Sequence, residues 1–491
     1  MKGLGWREVL DALARHVRED SPPVGVGERA YPRLGPALFT PGYGILCAVQ
    51  TADLPEIRRL AKVECLQEIL PGARPPSDTF SILRQAGLAG GTQFLGQGGS
   101  LLLYRQTAQI RRMADAMGWR ILANPPETRL PWENKASFRG RLLDMGLPAL
   151  QFEILELESL GGDECSRLMD RWGGPIVLQI PCFPQGGGRS SFVVREPAEI
   201  IDLRAEWGRG NHRGHRFSQV MASPWLSGIS ASMEGCVTPW GVLVSPLQLQ
   251  LVDIPEVLPP NGFGRFCGHQ WGAGIPGAGW VQEMATSITI KVGNAMAAEG
   301  YRGVFGLDFL VENGGRAIWA LECNPRYTGA FPTLTLLQWA HGLAPLEAFH
   351  VMSWLRDDPV ELPPELLEAT SRPVGPAAQI LLFNRDPWDT QVSQELPSGL
   401  YEWVQAEGKG RRKGPALPFP AAGLCKTEDF LILDGPPLPG HRLKPGRELE
   451  RVARIIFFRD VVDPSSGGIA MDVRQVIQWV YRSLGLEKVD P

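Results

Sequence analysis

The chain reads as a mixed α/β and α+β protein of three domains, the first of them a parallel-sheet domain of Rossmann-like type. Three observations predict this. Strand-like and helix-like segments alternate through residues 1–129, the pattern of a parallel sheet with crossover helices. A middle block, 130–354, gathers acids and amides on one strand pair beside glycine-rich loops. A proline-rich stretch, "DDPVELPPELLEATSRPVGP", then opens a last block, 355–491, of short apolar strands and one amphipathic helix. A length of 491 residues suits two or three such units.

In the first block "GILCAVQ" is a short apolar strand, and "LPEIRRLAKVECLQEIL" has helical spacing that predicts one helix over 54–70. "SLLLYR", "TAQIRRMADAMG" and "WRILANPPE" follow as strand, helix and strand. The glycine-rich "GGTQFLGQGGS" lies before a strand, not between a strand and a helix, so it reads as a loop and not as a dinucleotide site. In the last block "AAQILLF", "DFLILDG" and "ARIIFFRDVV" are strands. "DVRQVIQWVYRSLG" is a helix whose apolar face holds Val473, Ile477, Val480 and Leu484.

Composition narrows the function classes. Hydrophobic residues make up 44% and charged residues 21%, enough to bury sizeable cores. A net charge of −4 and a pI near 6.1 give no general pull towards nucleic acid or anionic membrane. The eight cysteines form no C-x-x-C pair and no zinc spacing, and read as reduced thiols. The N-terminal "MKGLGWREVLDALARHVRED" lacks a signal-peptide core, and no apolar run approaches the roughly 20 residues of a membrane span. A cytoplasmic protein is the expectation.

The chemistry concentrates in "GVFGLDFLVENGGRAIWALECNPR", residues 303–326. Two strands flank Asn313, Gly314 and Gly315, and glycine supplies the positive φ of a three-residue loop. With Glu312 opposite Arg316, Asp308 falls opposite Ala320, and Glu322 and Asn324 share its face. The other face is Leu307, Phe309 and Val311 against Trp319, Leu321 and Cys323. Adjacent carboxylates repel and need a counter-charge. Hard oxygen ligands suit Mg²⁺, with Mn²⁺ as an alternative ion. An ordinary solvent-facing strand pair could carry the same residues. Arg326 and the loop "NPRYTG" add a cation and room for a phosphate.

These residues resemble the ATP-grasp superfamily, whose signature pairs an acid in a "G-x-D-F" strand with "E-x-N-P-R". The matches are "GLDFL", Gly306–Leu310, and "ECNPR", Glu322–Arg326. The resemblance implies a two-lobed ATP-grasp domain behind a Rossmann-like domain, with Asp308, Glu322 and Asn324 binding Mg²⁺ and Arg326 stabilising the transferring phosphate. Upstream, "WENKASFRGRLLDMGLPAL" is similar to the family's lysine-led helix, implying Lys135 as an ATP contact and, with Arg326, a catalytic residue that neutralises charge on the phosphoryl oxygens. "WGGPIVLQIPCFPQGGGRSSFVV" resembles the strand and phosphate loop, implying Gln179, Gly186, Gly187, Gly188, Arg189, Ser190 and Ser191. "VMASPWLSGISAS" resembles the adenine-pairing hinge strand, with Trp225 and Leu226 at the base. Gln179 departs from the family, which usually has a lysine there, so a phosphate-neutralising charge is missing.

Other residues admit two readings. His212 and His215 suit a solvated loop better than a zinc site. Arg265 and His269, in a glycine-rich loop, could line a substrate pocket. Lys291 reads as a helix-face charge and Cys323 as core packing. The resemblance implies an ATP- and Mg²⁺-dependent ligase that activates a carboxylate as an acyl phosphate and joins it to an amine. A nucleotide-binding sensor or scaffold that has lost catalysis, suggested by Gln179, and a biotin-carboxylase-like enzyme are the alternatives. Expected partners are small-molecule carboxylates and amines, with neither nucleic acid nor membrane. Homodimers are common among similar proteins.

Overall fold

The computed structural model describes residues 22–489 apart from 90–93, 95–97, 185, 187, 260–263, 276, 356–360 and 464. The N-terminal segment quoted above, Gly187 and most of "GGTQFLGQGGS" therefore lie outside the described residues.

Strands β1 (Pro23–Gly27), β2 (Gly44–Cys47), β3 (Lys62–Cys65), β4 (Ser100–Leu102) and β5 (Arg120–Ile121) form a parallel sheet in the order β3-β2-β1-β4-β5. This is the Rossmann-like arrangement that the alternation predicts. One expectation needs correcting: 54–70 is not a single helix. Helical turns at Leu54–Ile57 and Leu66–Ile69 flank β3. The "KVEC" stretch carries its apolar residues at period two, and pairing with β2 wins over helical spacing. The helix Ala108–Met117 forms as the sequence predicts, with the Thr107 hydroxyl accepting from Ile110 N–H (3.2 Å). The strand order reverses between β1 and β4, and Tyr104 and Arg105 leave the carboxyl end of β4 at that crevice.

A four-stranded antiparallel sheet follows, ordered β6-β11-β7-β8, from β6 (Glu153–Glu156), β7 (Ile176–Gln179), β8 (Ser191–Val194) and β11 (Gln219–Pro224). Between β8 and β11 lies the small hairpin β9 (Asn211–His212) and β10 (His215–Arg216). Trp225–Ser227 then leads straight into a second, larger sheet, so the expected hinge strand is a junction between two strands of different sheets.

The large sheet begins with β12 (Gly228–Thr238), β13 (Gly241–Val244), β14 (Gln248–Val252), β15 (Phe266–Trp271), β16 (Gly303–Glu312) and β17 (Ile318–Asn324). It runs on through β18 (Ala377–Phe383) into β24 (Arg451–Phe457), β22 (Asp429–Leu433), β20 (Gly399–Val404) and β21 (Lys409–Gly414). β15 pairs with β18, so strands from the 130–354 and 355–491 blocks share one sheet. Three short strands, β19 (Thr390–Val392), β23 (Arg442–Leu443) and β25 (Leu486–Lys488), pair apart from it. The helix Met471–Leu484 buries Val473, Ile477, Val480 and Leu484, as its spacing predicts.

One core positions the site. The helix Lys135–Asp144 buries Phe138 and Leu142 against Met233, Phe305, Leu307 and Phe309 of the large sheet. Lys135 and Arg139, one turn apart, are thereby turned to the space between the two sheets' polar residues. Among the described residues no helix is long and apolar enough to cross a membrane.

Candidate active site

The β16–β17 hairpin gathers the predicted acids, in a register that differs from the expected one. The loop has four residues: Glu312 N–H donates to Ala317 O (3.0 Å), so Ala317 and not Arg316 faces Glu312. Phe309 faces Ala320, and a β-bulge at Leu321 brings Asp308 directly opposite Glu322. The extra loop residue and the bulge each shift the pairing by one. Between them the faces are inverted, so Ile318 and Ala320 are buried while Trp319 and Leu321 are not. Beyond the bulge the faces are restored, and Asp308, Glu322 and Asn324 share one side while Cys323 packs in the core, as expected.

Asp308 accepts from Gln250 Nε2 (2.7 Å) and from Asn324 Nδ2 (3.0 Å). No protein cation bonds it among the described residues. Burial, then the charge of Glu322, pushes its pKa up to about 7. Glu322 meets Lys135 Nζ at 3.0 Å, and Arg326 donates to Asn324 Oδ1 (2.7 Å) and to Glu133 Oε1 (3.4 Å). Asn324 thus shows Asp308 its amide nitrogen; ligation through Oδ1 requires that amide to turn over.

Sequence reasoning missed a third acid. Glu234 on β12 is buried and accepts from Gln248 Nε2 (3.0 Å). Burial raises its pKa to about 8; the Thr328 hydroxyl opposes the rise and Asp308 adds to it. The signal was present in "PLQLQLV", where Gln248 and Gln250 alternate with Leu247, Leu249 and Leu251 on a strand whose polar face must meet something. Two facing carboxylates with an amide beside them, one of the acids without a cation among the described residues, fit a hard divalent ion. Among the described residues no group of three or more His, Cys, Asp or Glu is placed to hold a metal, so the set rests on two acids and an amide.

The glycine-rich loop reaches this hairpin. A Cβ on Gly186 would lie 3.6 Å from Arg326 Nη2. Gly188 has φ +76°, where other residues are strained. Ser191 Oγ accepts from Gln179 Nε2 (2.9 Å), and Ser190 O accepts from Ile180 N–H (3.0 Å). Arg189 points away and donates to Glu448 O (3.1 Å). Trp225 is exposed and Leu226 half-buried at the junction of the two sheets.

Arginines crowd the opposite wall. Arg105, Arg129 and Arg326 all contact Glu133, and Arg326 also stacks on Tyr104. Burial, then Arg105 and Arg326, lowers the Arg129 pKa to about 10. Three guanidiniums sharing one carboxylate form a site ready for an anion.

The remaining expectations separate. His269 lies on β15 and not in a loop; it is buried, accepts from Gln379 Nε2 (2.7 Å), and burial and Arg454 lower its pKa to about 3. Arg265 donates to Pro259 O (3.3 Å) and is not brought to His269's polar contacts. His212 is buried rather than solvated, held by Glu206 (3.1 Å) and Arg189 O (3.0 Å). Lys291 is exposed on its helix.

No family model and no curated protein sequence matches the chain. Solved structures do. The biotin carboxylase domain dimer of Hydrogenobacter thermophilus 2-oxoglutarate carboxylase, solved with MgADP, ADP and bicarbonate, superimposes with a TM-score of 0.58 at 12% identity, over 89% of this chain and 86% of that one. Biotin carboxylase from Campylobacter jejuni, in a β,γ-ATP complex, gives 0.56 at 11% identity, over 89% and 87%. Carboxyaminoimidazole ribonucleotide synthase from Aspergillus clavatus, complexed with ATP, gives 0.54 at 13%, over 94% and 99%. At such identities the likeness is one of architecture, and by it the chain has the ATP-grasp fold.

Proposed function

We propose that the protein is an ATP- and Mg²⁺-dependent ligase that activates a carboxylate as an acyl phosphate and joins it to an amine. The observation that carries this reading is Asp308 facing Glu322 across the β16–β17 pair, with Lys135 and Arg326 at its rim. ATP would lie between the two sheets, its base near Trp225 and Leu226 and its phosphates under Gly186, Gly187 and Gly188. Asp308, Glu322 and Asn324 would hold the ion, which when bound neutralises phosphate charge. Lys135, now paired with Glu322, would be free to meet the phosphates.

The substrate carboxylate would enter beside Arg326, where Arg105 and Arg129 add positive charge. One carboxylate oxygen attacks the γ-phosphorus and ADP leaves. The amine then attacks the acyl carbon and inorganic phosphate departs. Arg326 steadies charge on the phosphoryl oxygens, and the glycine-rich loop shields the acyl phosphate from water. The fold neighbours' ATP, ADP and MgADP complexes support the choice of cofactors. Eight free cysteines suit a cytoplasmic setting, and the dimeric neighbour makes a homodimer the assembly to test first.

A second reading, carboxylation, is favoured by the likeness to biotin carboxylases, one of them solved with bicarbonate. An ADP-release assay across carboxylates, bicarbonate included, with and without amines separates the readings. Release that requires an amine and a carbon carboxylate supports ligation; release with bicarbonate alone as the acid supports carboxylation. ATP binding with no release across the whole library refutes both and leaves a sensor.

A further inference from the structure

Gln179 ends β7 without a charge of its own, and its hydrogen bonds lead to a buried charge beside it. Gln179 Oε1 accepts from Arg139 Nη2 (3.1 Å) while its Nε2 holds Ser191 Oγ (2.9 Å). Arg139 is 2% exposed, one turn beyond Lys135 on the same helix. Its Nε and Nη1 have no hydrogen-bond partner among the described residues. A guanidinium stays charged in proteins, and burying it with two donor nitrogens unpartnered is costly unless an anion completes it. Glu322 lies near enough to favour the charged form, but Lys135 is the cation that contacts it.

We propose that Arg139 is a phosphate anchor for the nucleotide, supplying from the helix the positive charge that Gln179 cannot supply from the strand. The guanidinium meets Gln179 at the root of the glycine-rich loop, one helical turn from Lys135, whose Nζ contacts Glu322. The guanidinium's planar fork suits two oxygens of one phosphate. Gln179 is then a positioning residue: its carbonyl oxygen fixes the guanidinium, and Ser191 fixes the glutamine. This proposal rests on the nucleotide reading above.

Calorimetric titration of the full-length protein with ATP and Mg²⁺, and with ADP, tests it. Wild type binds both; if it binds neither, the nucleotide reading itself fails. Arg139→Met weakens ATP binding about 10- to 100-fold, as expected for lost charge-assisted hydrogen bonds, without lowering the ligand-free unfolding midpoint. The double variant Arg139→Gln/Gln179→Lys, which moves the charge to the strand, recovers most of that affinity. A structural role for Arg139 predicts a lower ligand-free midpoint and no recovery from the exchange. ATP affinity within about twofold of wild type in Arg139→Met, or loss that the exchange does not repair, overturns the proposal. Should Arg139→Met fail to fold, Arg139→Lys, which keeps the charge and loses the fork, decides: unchanged ATP affinity contradicts the anchor, and a several-fold loss supports it.

Discussion

Replacing Asp308 by asparagine separates what the hairpin does in the proposed reaction from what it costs the fold. In the ligand-free protein Asp308 meets two amide donors and, among the described residues, no cation, and burial and Glu322 raise its pKa from 3.8 to about 7. A group raised in this way contributes stability that is present below its unfolded pKa and lost as pH rises through the folded one. At pH 8 its ionisation therefore opposes folding, by about 4 kcal/mol if the whole shift is counted at 1.36 kcal/mol per unit. Its edge still touches solvent, and asparagine gives up one of the two accepted hydrogen bonds, worth about 1 kcal/mol. Asp308→Asn should then stabilise the ligand-free protein by about 1–2 kcal/mol at pH 8 and by almost nothing at pH 4.5. The same change should abolish ADP release. Urea unfolding followed by tryptophan fluorescence, with and without ATP and Mg²⁺, reads both effects. Ligand at about 100 times its Kd should add about 2.7 kcal/mol to wild type and far less to the variant. A ligand-free variant weaker than wild type at pH 8, or equal stabilisation of both proteins by ATP and Mg²⁺, would refute this reasoning.

Two further outcomes follow from the packing. Glu347 is buried against Thr335, and burial raises its pKa to about 7, so its ionisation opposes folding as pH rises. Glu347→Gln should flatten the stability profile between pH 5 and 8 by roughly 2 kcal/mol, and urea midpoints that still track wild type across that range would contradict it. Phe138, fully buried, holds the helix of Lys135 and Arg139 on the sheet. Phe138→Ala should cost about 3–5 kcal/mol in thermal or urea unfolding and weaken nucleotide binding as well; a cost under about 1 kcal/mol would show that the helix is held otherwise.

Much of the site was legible because its chemistry is local. Asp308, Glu322 and Asn324 sit on one hairpin, so period-two alternation puts them on one face, and the two one-residue shifts add to two at that point and restore that face. Lys135 was legible as the first residue of a helix, but its partner Glu322 was not, since nothing in the sequence measures a contact across 187 positions. Glu234, Arg105, Arg129 and Arg139 were missed for the same reason: each acquires meaning only from residues that the fold brings to it. The helix expected over 54–70 failed because helical propensity lost to strand pairing with β2. The loop expected at His269 failed because its glycines mark a strand in a crowded sheet: at Gly268 a Cβ would collide with Gln379 O.

The most direct measurement is a crystal structure with a non-hydrolysable ATP analogue and Mn²⁺ in place of Mg²⁺, with anomalous data to locate the ion. The account predicts an anomalous peak held jointly by Asp308 and Glu322, phosphate oxygens on its far side, and Lys135 turned from Glu322 towards them. A bound nucleotide with no peak at that hairpin, the two carboxylates still answered only by amides and Lys135, would contradict it.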